Sequence, residues 1–133
     1  MEHTAKHFKK RDAILSCLRE THAHPSAETL HQMLRQTNPD ISLATVYRNL
    51  ALFKSQGMIQ SLGAVQGVER FDGNTAPHVH YICCQCGKVV DLPRIQVPAE
   101  LSQAAATQSG GQITGCQLTF TGLCGQCETP KTI

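Results

Sequence analysis

Long apolar runs are missing from this chain of 133 residues: no stretch approaches the roughly 18 consecutive apolar residues of a membrane helix, which argues against a helical span. The first residues, Met1-Glu2-His3-Thr4-Ala5-Lys6, contain no apolar h-region. A secretory signal therefore has no support, and the expected compartment is the cytoplasm. Internal repeats and long low-complexity tracts are also absent, so no repeat array is expected. Strong net charge is lacking too, at +2, but it is unevenly spread. Residues 1–60 carry eight Lys/Arg against five Asp/Glu, and residues 61–133 four against five, which makes the N-terminal half the better nucleic-acid candidate.

What the chain does have is cysteine, seven in all. In a reduced compartment, C-x-x-C pairs bind metal or run redox chemistry more often than they form disulfides. Cys83 and Cys86 make one such pair, and Cys124-Gly125-Gln126-Cys127 makes another. Four thiolates complete a closed tetrahedral zinc site with no position open for chemistry, so the expected role is structural. A site of this kind contributes about 10 kcal/mol or more of folding free energy, enough to decide whether a small domain folds. Cys17 is expected near an apolar stripe, and Cys84 and Cys116 are left without a role.

Along the chain, apolar residues Phe8, Ile14, Leu15 and Leu18 recur at helical spacing, with Lys9, Lys10 and Arg11 on the first turns. His24-Pro25-Ser26 breaks this helix, and Ser26 caps a second with Leu30, Met33 and Leu34 inward. Ser42 caps a third helix that runs to Gln56 and is stopped by Gly57. Its Leu43, Val46, Leu50 and Phe53 share one face, and Thr45, Arg48, Asn49 and Gln56 the opposite one. Two short strands, 58–64 and 68–72, flank Val65-Gln66-Gly67 as a hairpin. Three helices and a hairpin make a winged helix.

Gly73 to Pro77 has linker composition, and after it short β-prone runs take over. The expectation is an α+β protein of two domains: a winged helix-turn-helix over 1–74 and a small zinc-stapled α/β domain over 75–133. In the second, strands are expected over 78–82 and 88–92, a helix over 98–108 opened by proline and closed by Gly110-Gly111, and a strand or hairpin over 112–123.

His78 and His80 are two apart, so a strand there sends both imidazoles to one face, opposite in parity to Cys83. This points to a second, imidazole-based site. Asp72 and Asp91 are the nearby polar partners, with His24 more distant in sequence. Nitrogen and carboxylate without sulfur suit ferrous iron or manganese, though zinc tolerates them. Two histidines and one aspartate would also make the facial triad of a non-haem iron oxygenase, the enzymatic alternative. A zinc-stapled interaction module that does not bind DNA is a third reading.

The segments "HPSAETLHQML", "SLATVYRNLALFKSQGMI", "RFD", "HVHYICCQCGKVVDL" and "GLCGQC" together resemble the ferric uptake regulator (Fur) family of metal-dependent repressors, from about Phe8 to Cys127. Within it the likeness is greatest to the peroxide-sensing subgroup. That resemblance implies a regulatory iron or manganese site made by His24, Asp72, His78, His80 and Asp91. Iron-sensing relatives more often carry glutamate at the two aspartate positions, and zinc-sensing ones often put cysteine in the site. The resemblance further implies a homodimer formed through the C-terminal domain, bound to double-stranded operator DNA. Thr45, Arg48 and Asn49 are the groove candidates, Tyr47 joins them on the likeness, and Lys9, Lys10 and Arg11 are expected on phosphates. Sensing of iron or manganese without peroxide chemistry is the alternative within the family.

Overall fold

Residues 2–76 and 78–128 are described by a computed structural model of the chain, with side chains from Lys9 onward. The expectation placed on the side chain of Phe8 falls outside that range. The chain divides into two compact units, Met1–Thr75 and Ala76–Ile133. Among the described residues, no helix is long and apolar enough to cross a membrane.

The first unit consists of helices α1 (Glu2–Glu20), α2 (Ala27–Arg35) and α3 (Leu43–Ser55), followed by strands β1 (Gln60–Val65) and β2 (Val68–Asp72). Serine sets where two of the helices begin. Ser26 Oγ accepts the Thr29 N–H at 3.2 Å and Ser42 Oγ the Thr45 N–H at 3.1 Å, each satisfying a donor that the helix start leaves open. Such a cap stabilises by about 1 kcal/mol. The strands form an antiparallel hairpin whose tip, Gln66-Gly67, has both residues at positive φ, the geometry that matches strand twist in a two-residue turn. A bulge lies between Ser61 and Gly63.

Ile14, Leu18, Leu30, Leu34, Val46, Leu50 and Phe53 are buried together, with Ile59 and Phe71 closing the core from the hairpin side. Each such side chain contributes about 1.5–3 kcal/mol by leaving water. Cys17 and Met58 pack at the edge of this core. Met33, expected inward, is only half-buried, because Ala27, Leu30 and Leu34 already fill the inner face of α2.

The second unit holds strands β3 (Val79–Cys83) and β4 (Val89–Asp91), helix α4 (Ala99–Ser109) and strand β5 (Leu118–Gly122). Its sheet has the order β4-β3-β5, with β3 antiparallel to β4 and parallel to β5. Helix α4 starts after Pro98 and ends at Gly110 in the left-handed conformation. This unit has little apolar interior. Val79, Cys83 and Val89 are its buried hydrophobic residues among those described, α4 buries none, and Ile95, Leu101, Ile113, Phe120 and Leu123 are exposed.

The end of the hairpin closes tightly on α1. A Cβ on Gly73 would lie 2.7 Å from the Arg19 Cα and 2.9 Å from both the Arg19 nitrogen and the Leu18 carbonyl oxygen. These are backbone atoms of a helix and cannot yield as a side-chain tip would. Gly73→Ala is therefore expected to destabilise the first unit by about 1–3 kcal/mol, the usual cost of overpacking. Chemical denaturation followed by helical signal measures it, and an unchanged midpoint would contradict the packing described.

Candidate metal centres and nucleic-acid interface

The parallel pairing of β3 with β5 decides where the cysteines meet. Cys83 ends β3 opposite Gly122, so each strand runs directly into its own C-x-x-C turn at the same edge of the sheet. The turns are closed by backbone bonds: Gly87 N–H donates to the Cys83 carbonyl at 3.0 Å, and Cys127 and Glu128 N–H groups donate to that of Cys124 at 2.9 and 2.8 Å. Strand and turn are tied again where Cys84 N–H donates to the Gly122 carbonyl at 2.8 Å. The Tyr81 hydroxyl packs over Gly122, where a Cβ would lie 2.8 Å from it.

The sulfurs of Cys83, Cys86, Cys124 and Cys127 all lie within 4.8 Å of one another, and the Cys86 and Cys124 pair is 3.8 Å apart. Tetrahedral zinc with Zn–S bonds of about 2.3 Å sets its sulfurs about 3.8 Å apart, so the cradle fits that ion. Its electrostatics point the same way. N–H groups of Cys86 and Cys124 pull the Cys83 thiol down to about 6, whereas hydrogen bonding to the Cys124 and Cys83 sulfurs pushes the Cys127 thiol up to about 12. Four sulfurs so close cannot all be thiolates without a cation among them. Cys84 is exposed beside the cluster but outside it, Cys116 is exposed, and neither is among the four.

A second chemistry gathers at the other end of β3. His80 faces Asp91 across the antiparallel β3–β4 pair. Its Nε2 is 3.2 Å from Asp91 Oδ1, and His78 Nε2 is 3.4 Å from the same oxygen. His78 precedes the strand that was expected to begin with it, yet both imidazoles still converge, with ring centroids 4.2 Å apart. The His78 Nδ1–H donates to the Ala76 carbonyl at 2.7 Å, which fixes the ring with Nε2 turned toward the carboxylate.

In the first unit His24 and Asp72 are both buried, with Nε2 and Oδ2 3.4 Å apart. Asp72 terminates β2 and accepts the Asn74 N–H on its other oxygen at 2.9 Å. His24 sits between α1 and α2 with φ of +49°, a conformation that costs a non-glycine residue about 1–3 kcal/mol and is characteristic of functional sites. Two donors about 2.1 Å from one ion stand about 3.0 Å apart at a right angle and about 3.4 Å apart at the tetrahedral angle. Each unit thus contains nitrogen and oxygen donors at ligand spacing, with no sulfur among them.

The chain matches the Ferric uptake regulator family over residues 2–121. It belongs to that family. Over 119 residues it is 38% identical to the peroxide-responsive repressor PerR of Staphylococcus aureus (strain USA300), covering 90% of this chain and 80% of the relative. Its fold is similar to the peroxide stress regulator of Campylobacter jejuni, with a TM-score of 0.81 at 25% identity over 95% of this chain and 94% of that one. It also resembles the ferric uptake regulator from Pseudomonas aeruginosa with manganese, with a TM-score of 0.67 at 25% identity over 86% and 87% of the two chains. As a Fur-family protein, the chain is a metal-responsive repressor. The family-model match ends before Cys124, and the second cysteine pair is placed beside the first by geometry.

In the Fur-family winged helix, α3 carries the expected groove residues. Tyr47 and Arg48 are exposed, and Tyr47 donates to Glu28 Oε1 of α2 at 2.8 Å. One expectation is corrected. Thr45 is not on the outward face: it is 9% exposed, with its hydroxyl 2.8 Å from that of Ser42 and its amide spent on the helix cap. Asn49 is half-buried and donates its side-chain amide to the Thr45 carbonyl at 2.9 Å. On α1, Lys9 is exposed and Lys10 half-buried, while Arg11 is half-buried with its guanidinium 5.6 Å above the Phe53 ring, a stacking that ties it to the core. Glu28 and Arg70 are polar residues that periodicity did not single out, because both act through contacts distant in sequence.

The cysteine arrangement predicts that Cys86→Ser and Cys124→Ser each lose the bound zinc and the folded second unit, while Cys84→Ser and Cys116→Ser retain both. Metal analysis with circular dichroism checks it. Zinc retained in Cys124→Ser would contradict the four-sulfur cradle.

Proposed function

We propose that this Fur-family chain is a peroxide-responsive, DNA-binding repressor that acts as a homodimer in the cytoplasm. In this reading Cys83, Cys86, Cys124 and Cys127 hold structural zinc, and one regulatory ferrous iron or manganese draws ligands from both units. The observation that carries it is the sorting of donors: sulfur collects at one edge of the sheet, while imidazole and carboxylate collect at His24 and Asp72 in the first unit and at His78, His80 and Asp91 in the second. Oxygen and nitrogen donors suit iron and manganese, and thiolates suit zinc.

His24 and Asp72 belong to the DNA-binding unit, and His78, His80 and Asp91 to the other. Ligation across both limits how the reading heads of a dimer can stand, and paired recognition helices need a separation near one duplex turn or a multiple of it. Metal occupancy then acts as an allosteric co-repressor, with an effect on DNA affinity bounded by its preference for the DNA-competent arrangement. Tyr47 and Arg48 supply groove contacts, with Thr45 and Asn49 shaping the helix that presents them. Lys9, Lys10 and Arg11 supply the salt-dependent share.

The dimer rests on the second unit's exposed Ile95, Leu101, Ile113, Phe120 and Leu123, whose burial against a second copy would give this thin unit the apolar interior it lacks. An oxygenase is disfavoured by the regulators among the chain's relatives and by the donor supply: five protein ligands leave little room for substrate at the ion.

Ferrous iron, when bound, would activate peroxide by one-electron chemistry that manganese(II) resists, while the net two electrons would come from the oxidised histidine. The resemblance to peroxide-sensing members of the family points to His24 or His78 as the ligand oxidised: one peroxide oxygen would be added to the imidazole and the other released as water, and an oxidised imidazole no longer orders the ligand set. Iron-loaded protein treated with peroxide is expected to gain about 16 Da on a peptide holding His24 or His78 and to release operator DNA, whereas manganese-loaded protein does neither. Peptide mass spectrometry with gel-shift titration checks this. Unmodified peptides with DNA binding intact would leave metal sensing without peroxide chemistry as the better reading.

A further inference from the structure

The loop that carries His24 is tied to one strand by three hydrogen bonds. Its carbonyls at 23, 24 and 25 face β2, and each is taken by a donor from that strand. The Arg70 Nη2 donates to the Ala23 carbonyl at 2.9 Å, the Arg70 Nε donates to the carbonyl of His24 itself, and the Phe71 N–H donates to the Pro25 carbonyl at 3.0 Å. Two residues from Arg70, Asp72 presents the oxygen that faces His24 Nε2. One short strand therefore supplies both a donor of the site and the clamp on its neighbour's backbone.

This clamp has work to do. His24 is at positive φ, a conformation that a β-carbon disfavours and that an unrestrained loop would leave. Phe71 is pinned in the core, so its N–H fixes only the Pro25 end. The planar guanidinium reaches two successive carbonyls through a rigid fork, which a lysine ammonium cannot imitate with the same geometry. Arg70 is half-buried, and desolvation lowers its pKa without discharging it.

We infer that Arg70 is a positioning residue for the regulatory metal: by holding the carbonyls of Ala23 and His24 it keeps the His24 imidazole aimed at the ion, and so couples the wing strand to metal affinity. The inference rests on the reading of His24 as a ligand. Residues that orient a ligand typically change metal affinity about 10- to 100-fold when replaced.

The test is a manganese(II) titration of the zinc-containing full chain, with free manganese read by electron paramagnetic resonance, on wild type, Arg70→Lys, His24→Ala and the double variant. Arg70→Lys is expected to lower manganese affinity about 10-fold while leaving zinc content and the melting temperature of the manganese-free protein unchanged. In the His24→Ala background it should cost nothing further, because the residue it positions is gone. DNA affinity of Arg70→Lys should return to the wild-type level at saturating manganese, which a lost phosphate contact would not allow. Arg70→Gln is run alongside so that a folding defect in one variant does not decide the matter. Wild-type affinity in both Arg70 variants, or the same loss with and without His24, overturns the inference and leaves the metal site standing. Unchanged manganese affinity in His24→Ala overturns the site reading and the inference together.

Discussion

Coordination does in the second unit what apolar burial does in the first. Residues 2–75 hold themselves together with a cluster of buried aliphatic and aromatic side chains from three helices and a hairpin. The second unit has Val79, Cys83 and Val89 as its buried hydrophobic residues and a helix, α4, that buries none. A four-sulfur cradle closing about 40 residues of chain is the staple such a unit needs, since a bound structural zinc contributes folding free energy outright. The parallel pairing of β3 with β5 makes that staple possible, because it delivers both C-x-x-C turns to one edge of the sheet.

The same strand separates two chemistries. Sulfur donors follow its C-terminal end, and imidazole donors mark its N-terminal end, where His80 pairs with Asp91 and the orientation of His78 is set by the Ala76 carbonyl. Soft and hard ligand sets kept several residues apart give two sites that need not compete for one ion. Under the proposed function, one ion builds the fold and the other is free to come and go as a signal.

Much of this was legible in the sequence. Ser26 and Ser42 announced two helix starts, Val65-Gln66-Gly67 a hairpin tip that proves one residue shorter because Val65 ends β1, and Pro98 and Gly110-Gly111 the limits of α4, because caps and turns are local and carry their own residue chemistry. Cysteine spacing was equally readable. What the sequence could not show were side chains whose partners lie far along the chain. Thr45 and Asn49 share the outward face by helical arithmetic, yet Thr45 is buried at the helix cap and Asn49 gives one amide donor back to the helix. The stacking of the Arg11 guanidinium over Phe53 could not be read from helical spacing either. Arg70 looks like one more surface charge, and only the fold brings it to the carbonyls of Ala23 and His24, 46 and 47 positions away. The parallel register of β3 and β5 is likewise non-local and has no periodic signature.

The central claim is that a single regulatory ion takes ligands from both units of the chain. The direct measurement is electron spin echo modulation of bound manganese(II) in protein carrying nitrogen-15 histidine, comparing wild type with His24→Ala. The account predicts imidazole nitrogens from His24, His78 and His80 in the wild type and the loss of one in the variant. An identical nitrogen count in the two proteins would contradict it.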